Sequence, residues 1–205
     1  MDFVKYFEIL VDWKKMPAYR LEPRVDSIIG YYLDELISYY KKNKIIGIIP
    51  EFPIRGKTIF KTFSSEKSFR VDFLAISNDG PNYLVEFKTD SKSRRENQDI
   101  YLTKAQEKKL GALINGIKYI YKATEYKNKY DHLINKLKQY LLINDKLEFI
   151  GNNENIEIIY IQPSNNDNEN NVIDFRQISN YINSRDNIDV FEKELSKTLL
   201  EWIYD

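Results

Sequence analysis

Two β-type segments separated by a dense turn constrain this chain more than any other stretch. Residues 69–77 alternate, with Val71, Phe73 and Ala75 on one face and Asp72, Leu74 and Ile76 on the other. The segment 77–82 reads SNDGPN, a run of residues that favour tight turns because they accept unusual backbone angles or bond their own backbone. A second apolar segment follows at 83–89. The combination predicts an antiparallel hairpin.

The remaining pattern places helices around that hairpin. Residues 3–15 read as a short amphipathic helix. Pro23 suits the first turn of a second helix, with Glu22 at or near its cap. Val25, Ile28, Ile29, Tyr32, Leu33, Leu36, Ile37 and Tyr40 then follow a helical period to about Lys42. A β-branched stretch, 45–54, predicts a strand before the hairpin. After it, Ser93 with Glu96 forms a capping-box pattern that opens a long helix to about Lys122, with Gly111 or Gly116 as candidate kinks. A further helix is expected at about 125–142, with Tyr130, Leu133, Ile134, Leu137 and Leu141 on one stripe. The nearly all-apolar run 156–162 suits a buried strand. Residues 164–171 (SNNDNENN) read as a mobile loop. Asp174 with Gln177 marks another cap, and two short helices finish the chain, the last carrying Val190, Leu195, Leu199 and Trp202. The order α, β, β, β, α, α, β, α, α predicts an α/β fold, a mixed central sheet flanked by helices. A chain of 205 residues fits a single domain, 1–205: a core at about 23–163, the loop, and a C-terminal helical extension at 172–205.

Composition narrows the chemistry. There is no Cys, and His132 is the sole His. A disulfide framework, a Cys-based zinc site and a Cys nucleophile are excluded, and a Ser-His-Asp triad would rest on His132 alone. Catalysis would have to run on carboxylates, Lys, Arg, Tyr and hydroxyls. Net charge is zero, from 31 basic and 31 acidic side chains. Residues 1–87 carry 13 basic and 12 acidic groups (+1), residues 88–139 carry 13 and 6 (+7), and residues 140–205 carry 5 and 13 (−8). That asymmetry fits a polyanionic partner for the middle of the chain, although solvated helix faces in a Lys-rich composition would produce it too. No targeting segment or membrane-length apolar run is evident, so the expected location is cytoplasmic, with no membrane partner.

If Ile76 pairs with Asn82 across the turn, Asp72 lies directly opposite Glu86. Facing residues of an antiparallel pair have Cβ atoms about 4.5–5.5 Å apart, where two carboxylates repel unless positive charge lies between them. Lys88 shares the face of Glu86 by the two-residue strand period. Asp72, Glu86 and the backbone carbonyl of Phe87 offer hard oxygen ligands that suit Mg²⁺. Such an ion would polarise a phosphoryl oxygen, and Lys88 could orient or deprotonate the attacking water. The competing reading is a surface hairpin whose charges form a cross-strand ladder.

Asp72, thirteen intervening residues, then Glu86-Phe87-Lys88, with helices before and after, resembles the PD-(D/E)XK nuclease superfamily. The first motif is Val-Asp rather than Pro-Asp; the Glu-x-Lys motif fits unchanged. The resemblance covers about two-thirds of the chain. It implies a restriction-endonuclease-like αβββαβ core with extra C-terminal helices. It also implies hydrolysis of nucleic-acid phosphodiesters, DNA favoured over RNA, with Mg²⁺ or Mn²⁺. Family members often carry an acid on the preceding helix, for which Asp26 is the first candidate and Glu22 the second. Gln98 resembles an accessory Gln on the following helix, with Tyr101 three residues on. Arg94, beside Lys92 and Arg95 at that helix's start, could grip a phosphate. The alternative function is a catalytically silent nuclease-fold module that binds nucleic acid or a protein partner; a homodimer stays open. Gly56-Lys57-Thr58 ends like a phosphate-binding loop, but Glu51 stands where its first Gly belongs and no helix is expected to follow.

Overall fold

The computed structural model describes residues 2–16, 19–63, 67–90 and 96–203. Asp2 caps helix α1 (Phe3–Lys14), its carboxylate accepting from the Lys5 amide at 3.2 Å. Helix α2 spans Glu22–Lys41 and buries Val25, Ile29, Tyr32, Leu33, Leu36 and Ile37 of the expected stripe, while Ile28 and Tyr40 are half-buried. Strand β1 (Ile45–Arg55) runs antiparallel to β2 (Ser68–Ser77), and a one-turn helix, α3 (Gly56–Ile59), lies between them. Gly56-Lys57-Thr58 therefore sits inside a helical turn, which sequence reading did not foresee.

The hairpin closes with β3 (Asn82–Phe87), pairing Phe73 with Val85, Leu74 with Leu84 and Ala75 with Tyr83. That is the register expected from the turn. All six residues of β3 are buried, so no polar face is visible along it. Helix α4 (Glu96–Ala123) and α5 (Lys127–Gln139) follow, then β4 (Ile156–Gln162) and the three-residue β5 (Val172–Asp174). β5 pairs in parallel with β4, which makes the sheet mixed. Among the described residues five strands form one sheet in the order β1-β2-β3-β4-β5, flanked by helices. Helices α6 (Phe175–Asn183) and α7 (Val190–Glu201) end the chain, each opened by a reciprocal capping box, Asp174 with Gln177 and Asp189 with Glu192. Among the described residues no helix is long and apolar enough to cross a membrane.

The chain divides into two compact units. One comprises Met1–Tyr32, Phe87–Arg94 and Ile159–Asp205. In it α1 packs on α7 through Phe3 and Phe7 against Phe191, with ring centroids 5.2 and 5.3 Å apart. Ser179 and Ser196 join α6 to α7 by a buried hydroxyl pair at 2.8 Å. The other comprises Leu33–Glu86 and Arg95–Ile158. There α4 packs on β1 and α3.

Three expectations need correction. The break in α4 is at Lys109, with φ 64° and ψ 162°, not at either glycine. The next amide, Leu110, bonds the Glu154 carbonyl at 2.9 Å, so a long-range acceptor takes a donor that the helix would otherwise use. Gly116 serves close packing instead: a Cβ there would lie 2.8 Å from the Thr58 hydroxyl. Leu141 falls beyond the end of α5, has φ 56° and is 73% exposed. Val190 is also exposed, whereas its neighbour Phe191 carries the contact with α1.

Candidate active site

Asp72 and Glu86 lie in the unit that comprises Leu33–Glu86 and Arg95–Ile158. The observed register, continued one position beyond Phe73 and Val85, sets Asp72 opposite Glu86. Glu86 is 0% exposed and Asp72 is half-buried. Burying a carboxylate requires donors to replace water. Glu86 receives two from the start of α4: Gln98 donates its amide to one oxygen in a short hydrogen bond, and the Tyr101 hydroxyl lies 2.8 Å from the other. Helical spacing explains why both reach the same group, since residues three apart share a face. The Tyr101 hydroxyl is also 2.9 Å from the Arg70 carbonyl, and its single proton serves one acceptor at a time. Its ring stacks on Phe69 at 5.0 Å. Burial, then the negative charge of Glu86, push the Tyr101 hydroxyl far above its ordinary range, and Asp72 adds to the effect. Tyr101 thus stays protonated and donating.

One further residue belongs to this neighbourhood. Pro50 pairs with Phe73 and Phe52 with Val71, so Glu51 occupies the position across from Asp72. Glu51 has φ 50°, a left-handed conformation that strains a residue with a side chain. Its carboxylate is directed to Arg70 at 3.7 Å. Sequence reading missed Glu51; its place between Pro50 and Pro53 was the available signal of an irregular strand.

Lys88 lies in the other unit. Lys88 is 5% exposed, and its amide bonds the Ile161 carbonyl at 2.8 Å, which anchors the residue beyond the end of β3. Its Nζ lies 3.4 Å from Glu22 Oε1 and 3.1 Å from the Phe87 carbonyl. Of the two acids weighed on α2, Glu22 is thus the one that meets Lys88. Asp26 Oδ1 accepts from the Ser27 amide at 2.6 Å. The Phe87 carbonyl, expected to face a metal, accepts from Lys88, and the Phe87 ring packs near Phe175 at 6.2 Å. Arg94, Lys92, Arg95 and the Ser93 capping position lie outside the described residues.

The donor chemistry suits a hard divalent cation in part. A carboxylate has about four lone-pair positions; Gln98 and Tyr101 are among the partners of Glu86, and Asp72 opposite it brings a second carboxylate. Among the described residues, however, no group of three or more Asp, Glu, His or Cys gathers as a metal cage. Mg²⁺ tolerates such a sparse set because it keeps several waters. His132, on α5, is exposed and stands apart from these carboxylates in role. Comparisons with protein-family models, curated proteins and solved structures return no match for this chain.

Proposed function

We propose that the chain is a divalent-metal-dependent nuclease with a restriction-endonuclease-like core that hydrolyses phosphodiester bonds, DNA in preference to RNA, in the cytoplasm. The observation that supports this most is the fully buried Glu86 opposite Asp72, with Gln98 and Tyr101 fixed on its carboxylate. Two donors from α4 converge on this one buried carboxylate, an arrangement that fixes its position toward Asp72. Asp72 and Glu86 would hold Mg²⁺ or Mn²⁺. The bound ion supplies charge for a phosphoryl oxygen and a more acidic water. Lys88 follows Glu86 by two residues, so the chain keeps their Cα atoms within about 7 Å. Its ammonium would orient the attacking water and offset charge on the phosphorane-like transition state. Glu22 would position Lys88, and the basic stretch 88–139 would face the nucleic acid.

A second reading has one observation in its favour. Lys88 already satisfies the Phe87 carbonyl, a would-be metal ligand, which suits a silent module that binds without cutting. One assay separates the two. The protein and Lys88→Ala are incubated with Mg²⁺ or Mn²⁺ and single- or double-stranded DNA and RNA. Metal-dependent cleavage by the first and not the second supports the enzyme. Binding without cleavage supports the module, and neither activity overturns both.

A further inference from the structure

A cleft of about 490 Å³ lies between β1, β2 and α5, inside the unit that carries Asp72 and Glu86. Its volume falls within the range of about 300–1,000 Å³ typical of small-molecule sites. Ile48, Pro50, Tyr130 and Leu133 give it apolar and aromatic walls, while Arg70, Lys129 and Lys136 add cations. Glu51 is the one acid in the lining, and it faces Arg70. Lys136 bonds the Gln139 side chain at 3.3 Å, and Lys129 lies over the Tyr126 ring. Among the described residues neither of those two lysines meets a carboxylate within ion-pair distance. An apolar, aromatic-walled cleft with excess positive charge fits a ligand that is flat and apolar at one end and anionic at the other. A hydrophobic acid meets the charge but does not use the aromatic wall. A free phosphate meets the charge and leaves the apolar wall bare. A nucleotide uses both, because every base has a face that stacks on an aromatic ring.

We propose that this cleft takes an unpaired nucleotide, its base against Tyr130 and Leu133 and its phosphate at Lys129 and Lys136. Arg70 precedes Asp72 by two residues on the same face of β2, a step of about 6.6 Å along the strand. The nucleotide held there is therefore the one flanking the bond to be cut, a placement that rests on the nuclease reading. The strained Glu51 borders both the cleft and Asp72, and strain of this kind is commonly kept at functional sites.

The test measures binding of 5′-deoxyadenylate to the whole protein in EDTA, so that metal-dependent chemistry is silent. Inorganic phosphate, deoxyadenosine and decanoate serve as comparison ligands. The nucleotide is expected to bind more tightly than each of the three. Lys129→Glu and Lys136→Glu, both exchanges on the surface of α5, should each weaken it about tenfold, the loss of a charge-assisted contact. Lys197→Gln, an exposed exchange on α7 outside the cleft lining, should leave it unchanged. The proposal is overturned by absence of nucleotide binding, by equal binding in both α5 variants, or by phosphate or decanoate binding as tightly as the nucleotide. Failure of the nuclease reading is registered separately, as absent cleavage with Mg²⁺, and would leave a positive nucleotide result standing as a binding cleft.

Discussion

Glu86 and Lys88 are two residues apart, both buried, and stabilised in opposite ways. Glu86 is held by neutral donors, the Gln98 amide and the Tyr101 hydroxyl. Lys88 is held by a carboxylate and a backbone carbonyl, those of Glu22 and Phe87. The difference lies in the kind of partner. Neutral donors fix a carboxylate by geometry. An ion pair compensates much of the ammonium's charge, and the Glu22 side chain is 36% exposed, so water can take its place. The Glu86 carboxylate is thus pinned from α4, and the Lys88 ammonium is paired with a group that water reaches.

The largest effect should come from removing the pinned carboxylate. Glu86→Ala strands two buried donors and should cost about 2–5 kcal/mol, the penalty for leaving such groups unpaired. Urea unfolding measures it; a loss within experimental error would mean that Gln98 and Tyr101 find other partners easily. Lys88→Met should lower any metal-dependent cleavage by about 10²–10⁴, the usual contribution of a group that handles the reacting proton. Its stability should fall less than that of Glu86→Ala, because Glu22 reaches water. Equal or greater destabilisation would erase the contrast.

Tyr101→Phe removes one donor from Glu86 and should cost about 1–2 kcal/mol. It has a pH signature. The folded hydroxyl ionises far above its ordinary value of about 10, so the unfolded chain loses that proton first. The protein's stability from this group is complete below pH 10 and declines as the solution becomes more alkaline. Tyr101→Phe should flatten that decline between about pH 10 and 11.5, as followed by urea midpoints. An identical slope would remove Tyr101 from the Glu86 network. The smallest effect belongs to Glu22→Gln, a change of up to about 1 kcal/mol, as for pairs with one water-accessible partner. Asp26→Asn should change cleavage less than Glu22→Gln does; the reverse order would return the accessory role to Asp26.

Much of this geometry was legible in the sequence. The turn between β2 and β3 fixed the pairing parity, and with it the Asp72–Glu86 opposition, because a one-residue slip would have turned every side chain to the other face. Helical spacing placed Gln98 and Tyr101 together. It could not choose between Glu22 and Asp26, since residues four apart lie on one face; only the reach of Lys88 distinguishes them. The kink at Lys109 was illegible because its cause, the Glu154 carbonyl, lies far along the chain. Leu141 continued an apolar stripe past the last helical turn, where periodicity no longer implies burial. The exposure of Glu51 and its left-handed backbone depend on the partner strand, which spacing within β1 does not contain.

The most direct test of the nuclease reading is the dependence of DNA cleavage on Mg²⁺ concentration, for the protein and for Asp72→Asn. The account predicts saturable cleavage that EDTA abolishes. In Asp72→Asn half-saturation should shift upward by at least about tenfold, the range for losing a directly charged ligand contact. Cleavage indifferent to EDTA, an unshifted Asp72→Asn curve, or no cleavage at any Mg²⁺ concentration would contradict it.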